Sequence, residues 1–137
     1  MADLAERSPG FFEASGGYKS SLAPTYTDQT ANGLARCIID WIILHGGDAQ
    51  RVNTTGMMRK IKGEMKWTIS GSRRGSADIH AIVNGRALSV EVKVGKDRMS
   101  TFQREEQARV ERAGGLYYVA TSMPDFIEWF TLNIKNR

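Results

Sequence analysis

Along residues 31–45, apolar side chains recur at Leu34, Ala35, Ile38, Trp41 and Ile42, with His45 in the same row. That spacing is one face of a helix, and Ile39, Ile43 and Leu44 widen it, so burial on more than one side is expected. Thr27 offers an N-cap with Asp28 near the positive helix end, and Gly46-Gly47 supply the stop. Residues 49–55 read as a short strand closed by Gly56. Two clearer strands, 77–83 and 86–94, flank Asn84-Gly85, the strongest short hairpin signal. A second helix starts at Ser100, where Ser100-x-x-Gln103 has the form of a capping box, and ends at Gly114-Gly115. Residues 116–121 alternate as a strand, and Pro124 opens a last helix whose apolar face is Phe126, Ile127, Phe130 and Leu132. The order predicts an α/β sandwich, a mixed sheet covered by helices, as one domain over 26–137. Residues 1–25, rich in Ser, Gly and Pro, read as a flexible arm. Residues 57–74 fit a helical turn near 57–61 and a short strand near 65–69, but a mobile basic loop is the simplest account.

The Asn84-Gly85 turn also sets a register. A two-residue type I′ turn pairs Val83 with Arg86, and therefore His80 with Ser89, Ile79 with Val90 and Asp78 with Glu91. Ile79, Ala81, Leu88, Val90 and Val92 then share an apolar face. Asp78, His80, Ser89, Glu91 and Lys93 share the other. Two carboxylates set opposite each other repel, so either one holds a proton or a cation lies between them. Oxygen ligands at short range suit Mg²⁺ or Mn²⁺, which also bind phosphate oxygens. Lys93 on the same face would orient an attacking water or neutralise developing charge, which is the chemistry of metal-assisted phosphodiester hydrolysis. The same residues also fit a plainer arrangement, with Asp78 capping a turn and Glu91–Lys93 forming a surface ion pair.

Composition changes this picture only in places. The 137 residues are 41% hydrophobic and 25% charged, ordinary for a globular domain, with a net charge of +4. Charge is concentrated at Arg59, Lys60, Lys62, Lys66, Arg73 and Arg74, where Glu64 is the one acid. Such a stretch suits a polyphosphate surface and equally suits a solubilising loop. The single cysteine, Cys37, excludes an internal disulfide and a cysteine zinc site, and its apolar surroundings place it in the core. His45 and His80 match no zinc spacing. No export signal and no apolar run of membrane-spanning length is visible, so a cytoplasmic location without a membrane partner is expected.

The residues from Gly75 to Gln103 resemble the PD-(D/E)xK nuclease superfamily, and most closely its VRR-NUC group of stand-alone virus-type nucleases. The likeness is carried by Gly75-x-x-Asp78, Glu91-x-Lys93 and Ser100-x-x-Gln103. Residues 51–56 (RVNTTG) and 112–122 (RAGGLYYVATS) are similar to flanking segments of that group. The resemblance implies a restriction-endonuclease-like three-layer sandwich and a Mg²⁺-dependent DNA endonuclease, with Mn²⁺ able to substitute, acting on branched or structured DNA. Asp78, Glu91 and the Val92 carbonyl would be metal ligands, Lys93 the catalytic base or stabiliser, and Gln103 a helix residue turned to the site. Many relatives carry a further Glu in the first helix. This chain has only Asp28 and Asp40 there, and neither is assigned to the site. Arg51, Asn53, Lys60, Lys62, Lys66, Arg73, Arg74 and Gln107 are the candidate DNA contacts. A DNA-binding protein that keeps the fold without cutting is the alternative, and a homodimer is compatible with the apolar helix 31–45.

Overall fold

The computed structural model describes residues 26–52, 57–68 and 71–135. The first helix, α1 (Ala31–Leu44), starts one turn later than Thr27 would place it. Thr30 is the N-cap, its hydroxyl accepting from the Gly33 amide at 3.0 Å, while the Thr27 hydroxyl accepts from the Gln29 amide. Asp28 serves a different helix. Its Oδ2 accepts from the Met123 amide at 3.0 Å, at the start of α3 (Met123–Phe130). The α1 stripe behaves as its spacing requires, with Leu34, Ala35, Cys37, Ile38, Trp41 and Ile42 buried. It is narrower than expected, because Ile43 is exposed.

Six strands form two sheets among the described residues. The larger has the order β1-β4-β5-β6, with β1 (Asp48–Arg51), β4 (Ile79–Val83), β5 (Arg86–Val92) and β6 (Leu116–Ala120). Pairs β1–β4 and β4–β5 are antiparallel and β5–β6 is parallel, so the sheet is mixed. The return to β6 passes through α2 (Thr101–Arg112), as a parallel pair requires a crossover. The valine-rich β5 is therefore central, hydrogen-bonded on both edges.

One face of this sheet carries the core. Ile79, Ala81, Val83, Leu88, Val90 and Val92 pack with the α1 stripe and with Met123, Phe126, Phe130 and Ile134. Burying one such aliphatic side chain contributes roughly 1.5–3 kcal/mol, so this face dominates the favourable side of folding. Cys37 is fully buried in it, and burial pushes its thiol up to about 11. The last helix passes into a π-helical turn (Thr131–Lys135). There Ile134, two turns beyond Phe126, is buried, whereas Leu132 points to solvent instead of joining the apolar face.

The smaller sheet is the main departure from expectation. Residues 57–74 are not simply a basic loop, because β2 (Met57–Ile61) and β3 (Glu64–Thr68) form an antiparallel hairpin. Its turn is Lys62-Gly63 with φ of 50° and 84°, the left-handed pair a type I′ turn demands. A lysine in that first position is an unusual choice, which is why the turn escaped a reading by Asn-Gly or Asp-Gly signals. Asn53 and the arm 1–25 lie outside the described residues. No helix among the described residues is long and apolar enough to cross a membrane.

Candidate active site

The β4–β5 register is the one the Asn84-Gly85 turn dictates: Val83 pairs with Arg86, His80 with Ser89 and Ile79 with Val90. Asn84 and Gly85 have φ of 51° and 72°, as a type I′ turn requires. The ladder stops at Ile79, one residue short of Asp78. Asp78 is held there from two sides. Its carbonyl accepts from the Val52 amide at 2.8 Å, and its Oδ2 accepts from the Val92 amide at 2.8 Å. The carboxylate is thus anchored across β5, next to Glu91.

Glu91 is the chemical centre of the arrangement. It is only 2% exposed, an unusual place for a carboxyl group unless it is partnered. Its Oε1 accepts from Gln103 Nε2 at 2.6 Å and lies 3.3 Å from Lys93 Nζ. Its Oε2 is buried and has no hydrogen-bond partner. Burial above all, and then the negative charge of Asp78, push its pKa up from 4.5 to about 7, against the opposing pull of Lys93. Lys93 also reaches Asp97 Oδ2 at 3.4 Å, so its ammonium bridges the buried acid and an exposed one. The surface ion pair that the strand pattern also allowed is therefore not what forms, since both side chains of the Glu91–Lys93 pair are mostly withdrawn from solvent.

Gln103 has two duties. In the capping box its Oε1 accepts from the Ser100 amide at 2.8 Å while the Ser100 hydroxyl accepts from the Gln103 amide. The remaining amide protons are then free to face Glu91. The helix start thereby fixes the rotamer that holds the buried acid. A close approach behind it makes this possible. Gly75 has φ of 82°, and a Cβ there would stand 2.5 Å from the Phe102 carbonyl carbon and oxygen. Only glycine lets residues 73–76 lie against the first turn of α2, where Arg74 stacks 4.0 Å over the Phe102 ring.

A cleft of about 590 Å³ is lined among others by Arg51, Arg73, Ser76, His80 and Glu106, and its lining includes none of Asp78, Glu91 and Lys93. Arg51 and Arg73 are exposed cations on its wall, and Arg73 lies 3.8 Å from Glu106. Glu106 is buried and also accepts from Arg109 through Nε at 3.1 Å and through Nη2. It was not among the residues expected here. The signal was present, since Gln103 and Glu106 are three apart and share a helix face. Gln107, which was expected, instead donates to Glu111 on its own helix at 3.1 Å. The Tyr117 hydroxyl is a further buried group without a partner, and burial and the Glu91 charge raise its pKa. Lys60, Lys62 and Lys66 are on the β2–β3 hairpin rather than around Glu91, and all three are exposed.

Among the described residues, no group of three or more His, Cys, Asp and Glu gathers at one point, so the cluster offers two carboxylates. Asp28 and Asp40 are both engaged elsewhere, Asp40 accepting from the Tyr26 hydroxyl at 2.8 Å. Two acids with a buried, unpartnered oxygen still suit a hard divalent cation, which would supply the missing partner and draw off the Glu91 proton. Compared with known families and curated proteins, the chain matches no family model and no curated protein.

Proposed function

We propose that the chain is a Mg²⁺-dependent endonuclease that hydrolyses DNA phosphodiester bonds, on a restriction-endonuclease-like sandwich of the PD-(D/E)xK type, with the VRR-NUC group as its nearest likeness. The observation that carries the reading is Glu91. A buried carboxyl group with one oxygen unpartnered, an acid anchored beside it and a lysine 3.3 Å away costs stability and suits catalysis. The mixed sheet with helices on it is compatible with the fold the resemblance implies.

In this account Asp78 and Glu91 would hold the ion, with the carbonyl of Val92, between Glu91 and Lys93 in the chain, as the third oxygen. When bound, Mg²⁺ or Mn²⁺ supplies Lewis-acid polarisation of the phosphoryl group and a lower pKa for water. The protein's own groups do the rest. The Val92 amide fixes the Asp78 carboxylate, and Gln103 fixes Glu91 Oε1. Lys93 presents its ammonium to a non-bridging phosphate oxygen, where it offsets charge that grows in the transition state. Arg51 and Arg73 hold flanking phosphates along the cleft, positioning the scissile bond without reading sequence. Burial of Glu91 would keep bulk water from its side of the ion and strengthen each of these interactions.

The test is incubation of the purified chain with linear, flapped and four-way DNAs, and with matching RNAs, with and without Mg²⁺. Metal-dependent cutting of DNA is the expected result. Binding without cutting in Mg²⁺ or Mn²⁺ makes the chain a DNA-binding protein of nuclease-like shape, and cutting confined to RNA makes it a ribonuclease.

A further inference from the structure

The β2–β3 hairpin carries an aromatic and apolar face apart from the Glu91 cluster. Cross-strand pairing puts Met58 opposite Trp67 and Lys60 opposite Met65, so these four side chains share one face. Trp67 is 64% exposed, Met65 59% and Met58 51%. A two-stranded hairpin that leaves its largest side chains in water gains little stability from them. Contiguous exposed apolar surface of this kind marks a contact site.

The charges around the face select the partner. Lys60 is on this face and Lys62 in the turn beside it, while Arg59 and Lys66 pair on the opposite face with Glu64 as the hairpin's one acid, so the hairpin as a whole is basic and two copies of it would repel each other. A nucleic acid answers both features. An indole offers a stacking platform for an unpaired base, and ammonium groups beside it meet the flanking phosphates. We propose that Trp67 stacks on an unpaired nucleobase, with Met58 and Met65 walling the base and Lys60 meeting its phosphate. The hairpin then acts as a sensor of unpaired nucleotides in the substrate. This rests on the proposed function only for taking nucleic acid as the partner.

The experiment measures binding of the full chain in EDTA, so that cutting plays no part. The probes are a duplex with a single-stranded thymidine tail, the same duplex with an abasic tail, and a blunt duplex. Trp67→Ala should weaken binding to the thymidine tail roughly tenfold, as loss of one aromatic platform does. Trp67→Phe should restore most of it. The wild-type chain should bind the abasic tail no better than Trp67→Ala binds the thymidine tail, and blunt duplex binding and the salt slope should not change. Equal affinity of Trp67→Ala and wild type for the thymidine tail would overturn the proposal. So would an equal loss on all three probes, or a dimer that Trp67→Ala turns into monomers in light scattering, which would assign the face to a second copy. Stacking without Mg²⁺-dependent cutting would sink the nuclease reading alone, and cutting without stacking would sink this one alone.

Discussion

Replacing Glu91 by Gln tests the electrostatics of the site through folding stability alone, with no metal and no cutting needed. The amide is the same size, keeps an acceptor for Gln103 Nε2, and cannot ionise. In the folded chain the Glu91 carboxyl titrates at about 7, against 4.5 in the unfolded chain. A raised folded value means that the folded state binds the extra proton, so stability falls as pH rises between those two values. Below about 4.5 the contribution is complete, and above about 7 it is gone. At 1.36 kcal/mol per pH unit, the wild type should gain between about 2 and 3 kcal/mol over the Gln variant on going from pH 8 to pH 5. Lys93 loses its charged partner in the variant, which adds an offset to the difference. The assay is urea denaturation in EDTA at several pH values, read as the difference between the two proteins so that other titrations cancel. A difference that does not vary with pH, or that favours the wild type at alkaline pH, would mean that Glu91 is ionised at neutrality through Lys93 and that its burial does not govern it.

Three further outcomes are expected. Saturating Mn²⁺ at about a hundred times Kd should stabilise the wild type by about 2.7 kcal/mol, and Asp78→Asn should remove most of that shift in melting temperature. Asn keeps an acceptor for the Val92 amide, so an intact shift in the variant would show that the two acids do not share an ion. Arg51→Gln and Arg73→Gln should each lower the slope of log binding constant against log salt by about 1, and unchanged slopes would remove the cleft from the DNA path. Gly75→Ala should destabilise the chain by about 2–5 kcal/mol, because alanine is strained at φ of 82° and its Cβ meets Phe102 backbone. A variant that melts with the wild type would refute the close approach.

The parts of the fold that were legible in the sequence are those set by local rules. Asn84-Gly85 admits one kind of turn, and that turn determines which side chains share a face five residues away. The α1 stripe and the Ser100–Gln103 box were equally readable, since periodicity and caps act within a single element. What local rules missed depended on distant partners. Asp28 caps a helix 95 residues away, which no spacing announces. Thr27 and Thr30 are both good caps, and the helix uses the second. The β2–β3 hairpin hid behind a Lys-Gly turn and a lack of alternation. In the candidate site, the Asp78–Glu91 proximity followed from the register. The burial of Glu91 and Glu106 did not, because it depends on how α2 lies over the sheet.

Lys93 offers the sharpest test of the central claim, because it touches the proposed chemistry and little of the core. Its ammonium meets the carboxylates of Glu91 and Asp97, so Lys93→Ala should fold as the wild type does. The measurement is the rate at which each protein cuts a labelled four-way or flapped DNA in Mg²⁺, with EDTA as the control. The account predicts Mg²⁺-dependent cutting by the wild type and at least about a hundredfold loss in the folded Lys93→Ala variant, the scale on which one electrostatic donor acts in a transition state. A folded variant that cuts at the wild-type rate, or a wild type that cuts equally in EDTA, would contradict it.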